Sequence, residues 1–155
     1  MNAVMSNQEL RRLAARFIHL RTLMPTRAWP HIGQDVFLVE EEDGPAGSLL
    51  FTCRTEQSMS NPMGIVHGGI TASLVDSCMG VTCGAQAGCT FTPTITMTVN
   101  YARPVPLDTD IQVRTRTVRI GGSSGQMAAE VFPAGRPDEL LATATGVYAI
   151  RRPQA

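Results

Sequence analysis

Lysine is absent from this chain: its 13 basic residues are all arginines. That excludes Schiff-base chemistry and a P-loop lysine, and any phosphate held by a basic side chain must sit in the planar arginine fork. Charged residues make up only 17% of the 155 positions, with a net charge of zero. No apolar run approaches the ~20 residues of a membrane-spanning helix. Neither nucleic acid nor a membrane is therefore an expected partner. The cysteines Cys53, Cys78, Cys83 and Cys89 form no C-x-x-C pair, and His19, His31 and His67 are far apart. No metal or other cofactor is expected. Nothing at the N-terminus reads as a signal peptide, so reduced thiols and a cytoplasmic location are the default expectation.

What is present has clear periodicity. Ser6-x-x-Glu9 is a capping box, followed by Leu10, Leu13, Ala14, Phe17, Leu20 and Leu23 at spacings of three and four. This predicts an amphipathic helix ending before Pro25. Arg11, Arg12, Arg16 and Arg21 fall on its polar side; a solvated face is a commoner use of such a pattern than a transit peptide or a membrane-surface helix. Gln34 to Glu40 and Ser48 to Cys53 read as strands around the Glu41-Glu42-Asp43-Gly44-Pro45 turn.

Ile65 to Ala85 is apolar or small nearly all round and predicts a buried helix. The strictest alternation follows it. Phe91, Ile95, Met97, Val99 and Tyr101 fall on one face, with Thr92, Thr94, Thr96, Thr98 and Asn100 on the other, as in a half-buried strand. Asp110 to Ile120, Gln126 to Phe132 and Leu140 to Ile150 extend this into an antiparallel meander. The expected class is α+β: one curved antiparallel sheet around one long central helix. An additional helical extension, residues 1–30, packs on the domain of residues 31–155.

Chemistry is confined to few places. Between Glu56 and Arg103 the only charged side chain is Asp76, in the middle of the predicted central helix. Such a carboxylate is kept for function, or as a cap or ion pair; the residue alone does not choose. His67-Gly68-Gly69, at the start of that helix, lets a ligand approach the backbone and offers free helical N–H groups to an anion. Acyl transfer needs both elements: an activator of water or nucleophile, and donors facing the developing oxyanion. Yet Gly68 and Asp76 lie ~12 Å apart on a helix rising 1.5 Å per residue. Serving one carbonyl carbon would take two subunits. Gly121-x-Ser123-x-Gly125 matches a nucleophile elbow in letters only, since that motif requires a strand followed by a helix. A strand is expected here on both sides.

Asn61-Pro-Met-Gly-x-x-His67-Gly-Gly, then Leu74-x-Asp76, then Thr94 and Tyr101-x-Arg103-Pro, resembles the PaaI-like branch of hotdog-fold acyl-CoA thioesterases. The resemblance implies a hotdog fold and Asp76 as nucleophile or general base. It further implies that the Gly68 N–H polarises the thioester carbonyl, that His67 shapes the pocket and that Asn61 orients water or carboxylate. Thr94 would stand near the carboxylate. A homodimer, or a dimer of dimers, with each site shared between subunits is implied as well. Many members carry a basic residue in the turn after the fourth strand, where this chain has Gly121-Gly122-Ser123-Ser124. Gly69, Arg103, Arg119, Gly121, Gly122 and Ser123 are the candidates for binding the acyl-CoA substrate. A hotdog dehydratase or hydratase and a non-catalytic acyl-CoA-binding module are the alternatives. The position of His67 beside the glycines speaks against the first, and Asp76 against the second.

Overall fold

The computed structural model describes residues 5–22, 36–41, 44–89 and 91–151. The proposed 30/31 division, the end of the first helix near Pro25, and Gln34, Glu42 and Asp43 of the first hairpin lie outside the described residues.

Helix α1 (Asn7–Thr22) begins at its capping box: Ser6 Oγ accepts from the Glu9 N–H at 3.4 Å, and the Ser6 carbonyl accepts from the Leu10 N–H at 3.0 Å. Its apolar stripe then does what the spacing requires. Leu10 and Ala14 are fully buried, with Leu13, Phe17 and Ile18 packed against the same core. Arg11, on the polar face, donates to the Val39 carbonyl at 2.8 Å and ties α1 to the first strand.

The sheet is antiparallel throughout. It comprises β1 (Val36–Val39), β2 (Ser48–Arg54), β3 (Thr94–Tyr101), β4 (Asp110–Ile120), β5 (Ser124–Pro133) and β6 (Ala142–Ala149), in spatial order β1-β2-β4-β5-β6-β3. The long central helix α2 (Gly68–Ala87) lies across it, packing most closely on β4 and β5. Alternation supplies the inward face: Ile111 and Val113 from β4, Met127, Ala129 and Val131 from β5, and Ala142, Ala144 and Tyr148 from β6 meet Val75, Met79 and Cys83 of α2. One polar pair is included without loss. Thr82 Oγ1 donates to the Cys78 carbonyl at 2.9 Å and lies 2.7 Å from Thr115 Oγ1, so both buried hydroxyls are satisfied.

Three expectations need correction. The central helix starts at Gly68, not Ile65, because Asn61 to Ile65 closes a separate loop (Asn61 N–H to the Ile65 carbonyl, 2.9 Å) and His67 acts as N-cap. The helix is not buried all round: Gly69, Ala72, Ser73, Asp76 and Ser77 keep exposure along one stripe that the sheet and α1 leave partly uncovered.

Strand β3 is also more exposed than its alternation suggests. Among the described residues it ends the sheet and pairs only with β6, leaving Ile95 61% exposed and Phe91, just before the strand, 64% exposed. A register shift between Thr94 and Thr96 marks a bulge. One extra residue there reverses the alternation, which puts Thr94 on the same side as Met97, Val99 and Tyr101. All four then face α2: Thr94 and Tyr101 bond to it, and Met97 and Val99 pack into the core.

Candidate active site

Asp76 sits partly exposed in the third turn of α2. Its Oδ1 accepts from Thr94 Oγ1 at 2.7 Å and from the Tyr148 hydroxyl at 2.9 Å. Both donors are neutral, and among the described residues no ion pair is made to this carboxylate. Tyr148 is buried, and burial first, then the nearby Asp76 carboxylate, pushes its hydroxyl well above the usual phenol range. It remains a protonated donor throughout the neutral range. The alternation of β6 gives it only as one more inward side chain, and nothing in the sequence pattern marks it as a partner of Asp76.

The start of α2 is built from the loop upward. Asn61 Oδ1 accepts from the Met63 N–H at 2.9 Å and from the Ile65 N–H at 3.4 Å, which folds the loop around Gly64, a residue with φ of 74°. The carbonyl end of Asn61 is thereby engaged, leaving its Nδ2 as the donor a ligand could meet. His67 Nδ1 then accepts from the Gly69 N–H at 2.9 Å. That satisfies one of the orphan N–H groups of the helix. The Gly68 N–H meets no acceptor among the described residues and stands at the positive end of α2.

A groove of about 360 Å³ opens at this end, lined by Asn61, Val66, Gly68, Thr71, Tyr101 and Arg103 among others. Tyr101 donates its hydroxyl to the Gly68 carbonyl at 2.7 Å, and Arg103 donates to the Leu140 carbonyl at 2.8 Å. Neither His67 nor Asp76 lines this groove. The residues singled out in the sequence thus divide into separate groups within one chain. Asn61, Gly68 and Arg103 surround the groove; Asp76 and Thr94 meet further along α2, as the helical rise requires.

Gly121, Gly122 and Ser123 form the β4–β5 hairpin turn, closed by the Gly121 N–H to the Ser124 carbonyl at 2.8 Å, with Arg119 alongside. They are not brought to the groove. Strands flank Ser123 on both sides, so it is no nucleophile elbow. No cluster of three or more His, Cys, Asp or Glu side chains able to hold a metal occurs among the described residues.

Comparison with known proteins gives a consistent result. The family model for the thioesterase superfamily matches residues 63–145, more than half of the chain and the span that holds Gly68, Asp76 and Thr94. A conserved protein of Pseudomonas aeruginosa is 26% identical, with a TM-score of 0.66 over 83% of this chain and 97% of its own. The Escherichia coli PaaI protein from the phenylacetic acid degradation operon is 17% identical and superposes with a TM-score of 0.74, covering 92% of this chain and 96% of its own. A hypothetical thioesterase of Streptococcus pneumoniae, solved with coenzyme A, is 18% identical with a TM-score of 0.66, over 79% of this chain and 93% of its own. At the identities of the last two, the likeness establishes the hotdog fold alone.

Proposed function

The chain belongs to the thioesterase superfamily and is a thioester hydrolase, and we propose that its substrate is an acyl-CoA, cleaved to the free carboxylic acid and CoA. Asp76 is the reacting carboxylate. As general base it takes a proton from water while the water oxygen adds to the thioester carbonyl carbon; as nucleophile it attacks that carbon itself and water then releases the acid. In either course the carbonyl oxygen gains negative charge against the Gly68 N–H, the C–S bond breaks, and CoA leaves as the thiol once protonated. Asn61 orients the water or the carboxylate, and His67 holds the Gly68-Gly69 turn in shape.

The observation that carries this reading is the Gly68 N–H, without an acceptor among the described residues, at a helix N-terminus beside a groove, in a chain whose one central carboxylate is hydrogen-bonded by Thr94 and Tyr148. Because the two groups are separated along α2, the proposed site combines the groove of one subunit with the Asp76 of another. The exposed apolar edge at β3 and the uncovered stripe of α2 support a homodimer through this face. A further pairing of dimers rests on the family resemblance alone. Arg103, at the groove, is the better placed of the two arginine candidates for a CoA phosphate; Arg119 and the Gly121 to Ser123 turn could serve only from elsewhere on the assembled surface. The four cysteines are buried and none forms a disulfide, which suits a reducing cytoplasm.

The test is a panel of acyl-CoA thioesters, short, medium and aromatic, assayed by the appearance of free thiol. Hydrolysis of at least one at an enzymatic rate is expected. No release from any member would overturn the acyl-CoA assignment.

A further inference from the structure

Two hydroxyls converge on one oxygen of Asp76, and they arrive there as a cross-strand pair. Thr94 and Tyr148 are Cα partners in the β3–β6 ladder, so the register of the sheet sets their side chains together. Thr94 is turned toward α2 by the bulge that follows it. Tyr148 comes from the sheet interior, only 1% exposed, with its hydroxyl 2.9 Å from Asp76 Oδ1 and 3.2 Å from the Asp76 carbonyl oxygen.

Room for the tyrosine is made by a glycine on the same face of the same strand. A Cβ at Gly146 would lie 2.9 Å from the Tyr148 ring and 3.2 Å from its hydroxyl. An alanine there would push the ring off the carboxylate. Tyr148 is otherwise a large side chain in a core that phenylalanine would fill as well, and among the described residues its hydroxyl bonds only to Asp76. It also lies beyond the 63–145 span of the family match.

We propose that Tyr148 is a positioning residue for thioester hydrolysis: together with Thr94 it fixes Oδ1 of Asp76 and leaves Oδ2 as the oxygen presented to water or substrate. The hydroxyl does not touch the reacting atoms. It restricts rotation of the carboxylate, so that the reacting oxygen meets the bound thioester in one orientation. This rests on Asp76 being the reacting carboxylate.

Tyr148→Phe is the direct test, since it removes the hydroxyl and keeps the ring. On an acyl-CoA that the wild-type protein cleaves, kcat should fall about tenfold or more, as expected for a lost hydrogen bond to a charged group. KM should stay within about twofold, because uniform binding is untouched. In an Asp76→Asn background the same change should cost nothing further. An unchanged kcat, a change confined to KM, or a full additive loss in the double variant would each overturn the proposal.

A second measurement is independent of turnover and of how well the phenylalanine variant folds. The chain has 2 tyrosines. Protein labelled with ¹³C at the tyrosine Cζ therefore gives one resonance each for Tyr101 and Tyr148, told apart by Tyr101→Phe. Loss of the carboxylate acceptor in Asp76→Ala should move the Tyr148 resonance upfield. If it does not move, the contact is absent in solution and the proposal fails, even for an active enzyme. If the wild-type protein cleaves no acyl-CoA but the resonance moves, the acyl-CoA reading falls and the positioning of Asp76 by Tyr148 stands.

Discussion

The hydroxyl of Tyr101, on the edge strand β3, donates to the carbonyl of Gly68 at 2.7 Å and so pins the first turn of α2 against the sheet. The bond engages the carbonyl of the same residue whose N–H meets no acceptor among the described residues. A Cβ at Gly68 would lie 3.3 Å from the tyrosine ring, tighter than most such contacts.

Gly68→Ala should therefore displace either the helix start or Tyr101. The expected result is a fall in kcat of about tenfold for acyl-CoA hydrolysis, by misplacing the oxyanion donor. Tyr101→Phe, which removes the bond but leaves the space, should cost less. Steady-state kinetics on both variants check the order; equal or reversed effects would remove Gly68 from the oxyanion role.

Asp76→Asn should leave only residual turnover while acyl-CoA binding stays largely intact. An amide keeps the shape of the carboxylate but neither takes a proton from water nor attacks a thioester readily, so kcat should drop on the order of 10²-fold or more. Asn61→Ala should cost less, since it removes orientation and not the reacting group. Wild-type kcat in Asp76→Asn would leave the carboxylate with a structural role only.

Mixing inactive Asp76→Asn chains with inactive Gly68→Pro chains tests the shared site. After subunit exchange, a mixed dimer carries one site with both defects and one with neither, so activity should return. No recovery, with exchange shown by mass-tagged subunits, would contradict a site built across the interface.

Cys83 gives a pH-dependent expectation. Burial, then the neighbouring Cys89, pushes its thiol from 9.0 up to about 12. The native thiol should resist alkylation at pH 8 and react only on unfolding. The sign for stability follows from linkage: the unfolded thiol loses its proton first, so stability is full below about pH 9 and declines as pH rises from there toward 12. Melting temperatures across this window should fall, and Cys83→Ser should fall less steeply.

Residue patterns by themselves determined most of the framework. The capping box at Ser6, the apolar stripe of α1, the order of strands around one long helix and the lone carboxylate at Asp76 are all local or periodic features. They follow from side-chain spacing and backbone preference, which a single chain carries in its letters. The separation of Gly68 from Asp76 was legible for the same reason, because helical rise is a property of the backbone.

Tertiary structure alone decided what touches Asp76. Simple alternation puts Thr94 on the face opposite Met97, and only a bulge in β3, visible in its register with β6, turns it toward the helix. Tyr148 stands 72 residues further along the chain from Asp76 and looks like any inward aromatic until β6 is laid beside β3. His67, adjacent to the glycines in sequence, turned out to cap Gly69 and so leave Gly68 as the free donor. Strand register and helix capping are set by which partners pack together over long range, and no local period encodes them.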